Sequence, residues 1–97
     1  MTTFSEFRDR VRERTALLAI VEQTCEIKNR GSRVIHVRCP FHGDDTPSCA
    51  IYTDQERWYC FGSCQTGGDV FEWISRRDGV DHVGAVEILA RSVGWIS

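Results

Sequence analysis

The chain has 97 residues, 41% of them hydrophobic and 27% charged, with a formal net charge of −2 and five cysteines. That length admits one ordinary domain with a small core, which stays marginally stable unless something reinforces it. Thr2, Thr3, Phe4, Ser5, Glu6, Phe7, Arg8, Asp9 and Arg10 place charges where a secretory signal needs an unbroken apolar stretch, and the run Ala16 to Val21 is far too short to span a bilayer. A cytoplasmic location with reduced thiols and no membrane association is therefore expected, and metal binding becomes the leading use of cysteine.

Taken in chain order, Thr3 and Glu6 have the spacing of a capping box, and Phe4, Phe7, Val11 and Arg14 recur at helical period, so a first helix is predicted to about Arg14. Thr15 breaks it, and Ala16 to Val21 reads as a short buried helix running towards Gln23. From Thr24 the pattern alternates, with Cys25 and Ile27 on one face and Glu26 and Lys28 on the other. Asn29, Arg30, Gly31 and Ser32 then form a turn, which predicts a hairpin whose second strand, Arg33 to Arg38, points Ile35 and Val37 inward and His36 and Arg38 outward. A second strand pair is expected over Cys49 to Thr53 and Arg57 to Cys60, joined by Asp54, Gln55 and Glu56. After Gly67 and Gly68, Asp69 with Glu72 caps a helix carrying Val70, Phe71, Trp73 and Ile74 that stops near Gly79. A last helix from about Asp81 is expected to pack through Val83, Val86, Ile88, Leu89 and Val93 before Gly94. The fold class is α+β: a small antiparallel sheet over 24–68 flanked by a helical lead, 3–23, and a helical tail, 69–95, in a single domain over 1–97.

Cys39, Pro40, Phe41 and His42 form a Cys-x-x-His knuckle, and Cys60 and Cys64 form a Cys-x-x-x-Cys pair. Zinc takes four such ligands in a tetrahedron, and two short-spaced pairs on separate turns supply them without ordering a long loop. A set of three cysteines and one histidine leaves no open position for an activated water, so one structural Zn2+ is expected and metalloenzyme chemistry is not. The ion also supplies the reinforcement that so small a core needs. Cys25 and Cys49 lack a partner at knuckle spacing and read as small buried hydrophobes. His82, at a helix start, reads as a surface residue. Asp44 and Asp45 are adjacent on a turn, the pattern of a solvated loop and not of a two-metal centre, so no catalytic residue is assigned.

The string Cys39-Pro-Phe-His42, then Thr46-Pro-Ser48, Trp58-Tyr-Cys60-Phe-Gly and Gly67-Gly-Asp69-Val-Phe-Glu-Trp73 resembles the amino-terminal zinc-ribbon domain of bacterial, DnaG-type DNA primases. The likeness runs over nearly the whole chain, through the closing stretch Val83 to Ala90. It implies that Cys39, His42, Cys60 and Cys64 bind zinc. It implies also that the sheet contacts single-stranded DNA template at primer initiation sites, and that a separate catalytic domain makes the primer. The chain departs from the family in carrying Ser63 as an extra residue before Cys64, which changes the local turn. Lys28, Arg33, His36 and Arg38 are the candidates for phosphate and base contacts, with Tyr59 and Phe61 as stacking rings, although such residues also serve as a solvated face or as packing around a metal. The expected partners are single-stranded DNA, a primase catalytic domain in cis or in trans, and a replicative helicase. The chain is read either as the front end of a longer primase or as a separate small protein of the kind a phage or mobile element encodes. The acidic net charge leaves open a zinc ribbon that binds the replication machinery without reading DNA, and Cys60 with Cys64 leaves open a redox pair.

Overall fold

A computed structural model describes residues 3–28, 31–41, 47–62 and 64–94. Helix α1, Phe4–Glu13, begins as the sequence predicts, with the Thr3 hydroxyl accepting from the Glu6 backbone N–H at 3.2 Å. Helix α2, Leu17–Val21, has no side-chain cap of its own at Ala16. Glu56 stands in for one, its Oε2 accepting from the Leu17 N–H at 3.4 Å, so that a carboxylate from a distant turn meets the positive end of the helix.

Four short strands follow: β1, Val34–Val37; β2, Cys49–Tyr52; β3, Arg57–Cys60; and β4, Thr66–Gly68. They form one antiparallel sheet in the order β1-β2-β3-β4. Two expectations fail here. Residues 24–28 do not make a strand, and β1 pairs with β2 instead, Val34 opposite Tyr52 and Val37 opposite Cys49. The reason lies one turn earlier: the Thr24 and Cys25 N–H groups both donate to the Val21 carbonyl, at 3.1 and 2.9 Å, so they finish the helix and cannot enter a ladder. Of the predicted turn, Asn29 and Arg30 lie outside the described residues. The second departure is β4, which joins the sheet through two glycines. A Cβ on Gly67 would sit 2.2 Å from the Trp58 carbonyl oxygen and 2.8 Å from Cδ2 of Tyr59, so the strand approaches β3 only because that position has no side chain.

Helix α3, Val70–Asp78, is capped by Asp69, whose Oδ1 accepts from the Phe71 and Glu72 N–H groups at 3.0 and 3.2 Å, and ends at Gly79 in the left-handed conformation. Helix α4, His82–Ser92, starts on Asp81, which accepts from the Gly84 N–H at 2.8 Å. The core lies between one face of the sheet and the helices: Ile35, Val37, Ile51 and Trp58 from the strands meet Phe71, Trp73, Ile74, Val86 and Leu89, with Val11, Leu17 and Val21 closing the far side. Within it Phe41, Trp58 and Trp73 form an aromatic cluster with ring centroids 4.8 to 5.6 Å apart. Val83, expected in the core, is instead 49% exposed, because α4 buries the stripe Ala85, Val86, Leu89 and Ala90 and position 83 falls at its margin. His82 stands with its ring edge-on to Phe4 and Phe71 at 6.3 and 5.4 Å. Asp69 joins three elements, since its Oδ2 also accepts from Arg12 on α1 at 3.2 Å while its carbonyl accepts from the Trp58 indole N–H at 3.0 Å.

Candidate metal centre and nucleic-acid interface

Cys39 lies just past the end of β1, Cys60 is the last residue of β3, and Cys64 sits in the loop leading to β4. The sheet register explains why they meet. Val37, Cys49, Cys60 and Thr66 form one row on the inner face, and the chain leaving β1 and β3 at that end carries the two knuckles towards each other. The sulfurs of Cys39, Cys60 and Cys64 all lie within 4.8 Å of one another, with Cys39 and Cys64 at 3.7 Å. Tetrahedral zinc with Zn–S bonds of about 2.3 Å requires sulfurs about 3.8 Å apart, a spacing that Cys39 and Cys64 already have and that the cluster of three approaches. Phe41, between the first knuckle's two positions, packs on Trp58 and Trp73 and so anchors that turn to the core. His42, expected as the fourth ligand, lies outside the described residues, as do Asp44, Asp45 and Ser63.

The electrostatics are those of a site that wants a cation. Burial pushes the Cys39 thiol up to about 12, a hydrogen bond with Phe41 opposing it and the neighbouring Cys60 and Cys64 adding to it. Burial also raises Cys60, but that is outweighed by hydrogen bonds from the Gly62 backbone, Cys39, Ser48 and the Cys64 backbone, which together bring it below its ordinary value. Cys60 is thus held towards its thiolate form while Cys39 beside it is held towards its protonated form. A bound cation would remove the reason for that asymmetry, displacing the protons and letting all three act as thiolates. Cys49 is fully buried opposite Cys60, with its thiol pushed up by burial and by the charge of its neighbours, and it stands outside the three-sulfur cluster. Cys25 is half-buried and not in a strand, and its thiol reaches the Arg38 carbonyl at 3.6 Å. Both keep the role of small apolar residues, Cys25 less completely.

The outer face of the sheet carries the other candidates. His36, Ala50, Tyr59 and Gly67 stand side by side in register across all four strands. Tyr59 and Phe61, at 37% and 62% exposure, pair edge to face with centroids 4.8 Å apart. Lys28, His36 and Arg38 line one groove of about 560 Å³ with Thr24, Cys25, Glu26, Pro40 and Pro47, directly beside Cys39. Arg33 is exposed just before β1 and is not part of that groove. Arg8, Arg12, Arg76 and Arg77 on the helices are all engaged with carboxylates, whereas Lys28, Arg33, His36 and Arg38 have no ion pair among the described residues.

A family description, the CHC2 zinc finger of the DnaG zinc ribbon, matches residues 3–96. The chain belongs to the CHC2 zinc-finger family of DnaG-type DNA primases. Curated relatives agree with this: the DNA primase of Halalkalibacterium halodurans is 34% identical over 83 residues, 86% of this chain and 14% of the relative, and that of Mycolicibacterium smegmatis is 34% identical over 85 residues, 88% of this chain and 13% of the relative. Among solved structures, the Aquifex aeolicus primase, comprising zinc-binding and RNA polymerase domains, superposes with a TM-score of 0.82 at 26% identity over 97% of this chain and 22% of that one. The chain therefore spans about one seventh of the length of the curated primases it matches. Membership in the zinc-finger family accounts for the three clustered thiols, and it fits the four antiparallel strands with flanking helices. Among the described residues, no helix is long and apolar enough to cross a membrane. What sequence reasoning missed is the polar outer rim around Tyr52, Gln55 and Arg57, which lacks any motif and becomes visible only once β2 and β3 are in register.

Proposed function

We propose that this chain is the zinc-dependent module of a DNA primase that recognises the single-stranded template, while RNA primer synthesis is carried out by a separate catalytic domain in cis or in trans. Cys39, His42, Cys60 and Cys64 hold one zinc ion, whose role is structural: it fixes the two knuckles and, through Phe41, the sheet they border. The observation that carries the reading is the convergence of uncommitted cations with exposed rings on one side of the sheet. Lys28, His36 and Arg38 share a groove, Arg33 borders the same strand, and Tyr59 pairs with Phe61 two strands away. A basic track with stacking platforms is what holds an unpaired strand without a duplex to read, each stacked base contributing roughly 1–3 kcal/mol.

The net charge of −2 favours a second reading, a ribbon that binds other replication proteins and not DNA. Salt-dependent binding separates the two. For the zinc-loaded chain, Arg38→Ala and Arg33→Ala should each weaken binding to an oligothymidylate and lower the salt slope by about 0.7, while Phe61→Ala should weaken binding with the slope unchanged. Unaltered affinity and slope in both arginine variants would remove the template role. Primer synthesis by a cognate catalytic domain on single-stranded template should further depend on adding this chain, and independence would remove the priming role.

A further inference from the structure

The outer face of the sheet does not end at Tyr59. Beyond it, at the opposite end from the thiols, lies a recess of about 360 Å³ lined by Tyr52, Gln55, Arg57, Trp58, Tyr59, Gly67 and Gly68. Three features distinguish it from an accidental dent. Tyr52 and Arg57 are direct cross-strand partners, so both side chains rise from the same face as Tyr59. Gly67 contributes no side chain, which keeps the floor open beneath the Tyr59 ring; a Cβ there would already collide with it. Lastly, the hydroxyls of Tyr52 and Tyr59, the Gln55 amide and the Arg57 guanidinium have no side-chain hydrogen bond or ion pair among the described residues. Four polar ends without a side-chain partner among the described residues converge on a depression with aromatic walls.

The geometry points to a nucleobase-binding recess: resting on the template reading above, we propose that Tyr52, Gln55, Arg57 and Tyr59 receive one base of the unpaired strand and set the chain's sequence preference. The rings offer faces on which a base can stack. Arg57 presents parallel N–H donors that match a base with two adjacent acceptors, as guanine carries at O6 and N7, and Gln55 supplies one donor and one acceptor for the remaining edge. Adenine presents a donor beside its N7 and thymine a single acceptor beside its methyl, whereas an unpaired cytosine also offers two neighbouring acceptors, O2 and N3. The chemistry thus favours guanine and cytosine over adenine and thymine. The basic groove at Lys28, His36 and Arg38 would supply affinity without sequence, and the recess would supply the discrimination.

The test uses the zinc-loaded full chain and oligothymidylates that are identical except for one central dG, dA or dC, with binding read by anisotropy at fixed salt. The dG strand should bind roughly tenfold more tightly than the dT parent. Arg57→Lys, which keeps the charge and loses the fork, and Gln55→Ala should erase that preference while leaving the salt slope intact, and zinc content should stay at the parent's level in both. Arg38→Ala should lower affinity for every strand and keep the preference. A parallel titration with guanosine monophosphate, followed by the ring protons of Tyr52 and Tyr59, makes the two readings separable. Strand binding with no base preference and no ring shift overturns the recess and leaves the template role standing. Loss of all strand binding with the ring shift retained overturns the template role and keeps the recess as a base site. Preference surviving in both Arg57→Lys and Gln55→Ala overturns the recess.

Discussion

Replacing Asp69 tests how the helical layer is tied to the sheet. Its carboxylate makes two bonds to the start of α3, at 3.0 and 3.2 Å, and one to Arg12 of α1, at 3.2 Å. Losing the cap costs about 1 kcal/mol. Losing the Arg12 pair, whose side chains are 39% and 21% exposed, adds about 0.5 kcal/mol because solvent screens much of the attraction. The bond from the Trp58 indole goes to the Asp69 backbone carbonyl and survives the change. Asp69→Ala should therefore cost about 1.5 kcal/mol, or roughly 6–12 °C in melting temperature for a domain of this size. Asp69→Asn retains an equivalent cap and loses only the charge, so it should fall by about 2–4 °C, and the gap between it and the parent should shrink in high salt. Melts followed by circular dichroism must be run at one buffered zinc concentration, since bound metal raises the apparent stability of all three proteins. If the Asn and Ala variants melt together, the capping bonds contribute nothing and the loss is one of charge alone. A variant with Ala that melts with the parent would sink both terms.

Gly67→Ala should destabilise the zinc-loaded chain by about 1–3 kcal/mol, because the new methyl meets a backbone carbonyl at 2.2 Å that cannot rotate away, whereas Gly31→Ala, with nothing within 4 Å, should change the melt by less than about 0.5 kcal/mol. Thiol alkylation followed by mass spectrometry should mark Cys25 first when metal is bound. Burial raises its thiol above the ordinary 9.0, so its thiolate is scarce below that value and the rate should still be climbing as pH passes it. Cys49 should resist throughout, and a chelator should open Cys39, Cys60 and Cys64 to reagent together as the fold loosens. Any one of those three that the chelator leaves as protected as before would contradict a shared ion.

The parts of this fold that could be read from the sequence are those whose signal is local. Thr3 with Glu6, Asp69 with Glu72, and Asp81 announce the three longer helices because a cap acts on N–H groups only two or three residues away. The alternation of Ile35 with Val37 and of Trp58 with Cys60 likewise gives strands and their faces. Pairing is not local, and the alternation of side chains does not specify it. Residues 24–28 alternate as well as β1 does, but two of their N–H groups are already committed to Val21, a fact that no pattern of side chains reports. Nor could β4 be seen, since Thr66, Gly67 and Gly68 offer a turn's composition, and glycine is there to admit a neighbour's carbonyl and ring. The meeting of Cys39, Cys60 and Cys64 is legible from spacing because short knuckles need no tertiary information, while His42 lies outside the described residues. Cys25, read as buried in a strand, proves half-exposed in a loop, for the same reason that its strand is missing.

The alternation of β3 constrains any redesign of the protein. Positions 58 and 60 face the core and the thiols, while 57, 59 and 61 face outwards, so the two properties are wired to odd and even positions of a single five-residue ribbon. Substitutions confined to the odd set can retune what the surface recognises without disturbing the clasp beneath. Inserting or deleting one residue in the preceding turn would exchange the two sets at a stroke, sending rings inward and a sulfur into water. Length between Tyr52 and Arg57 is thus less negotiable than the identity of any residue displayed on the outside.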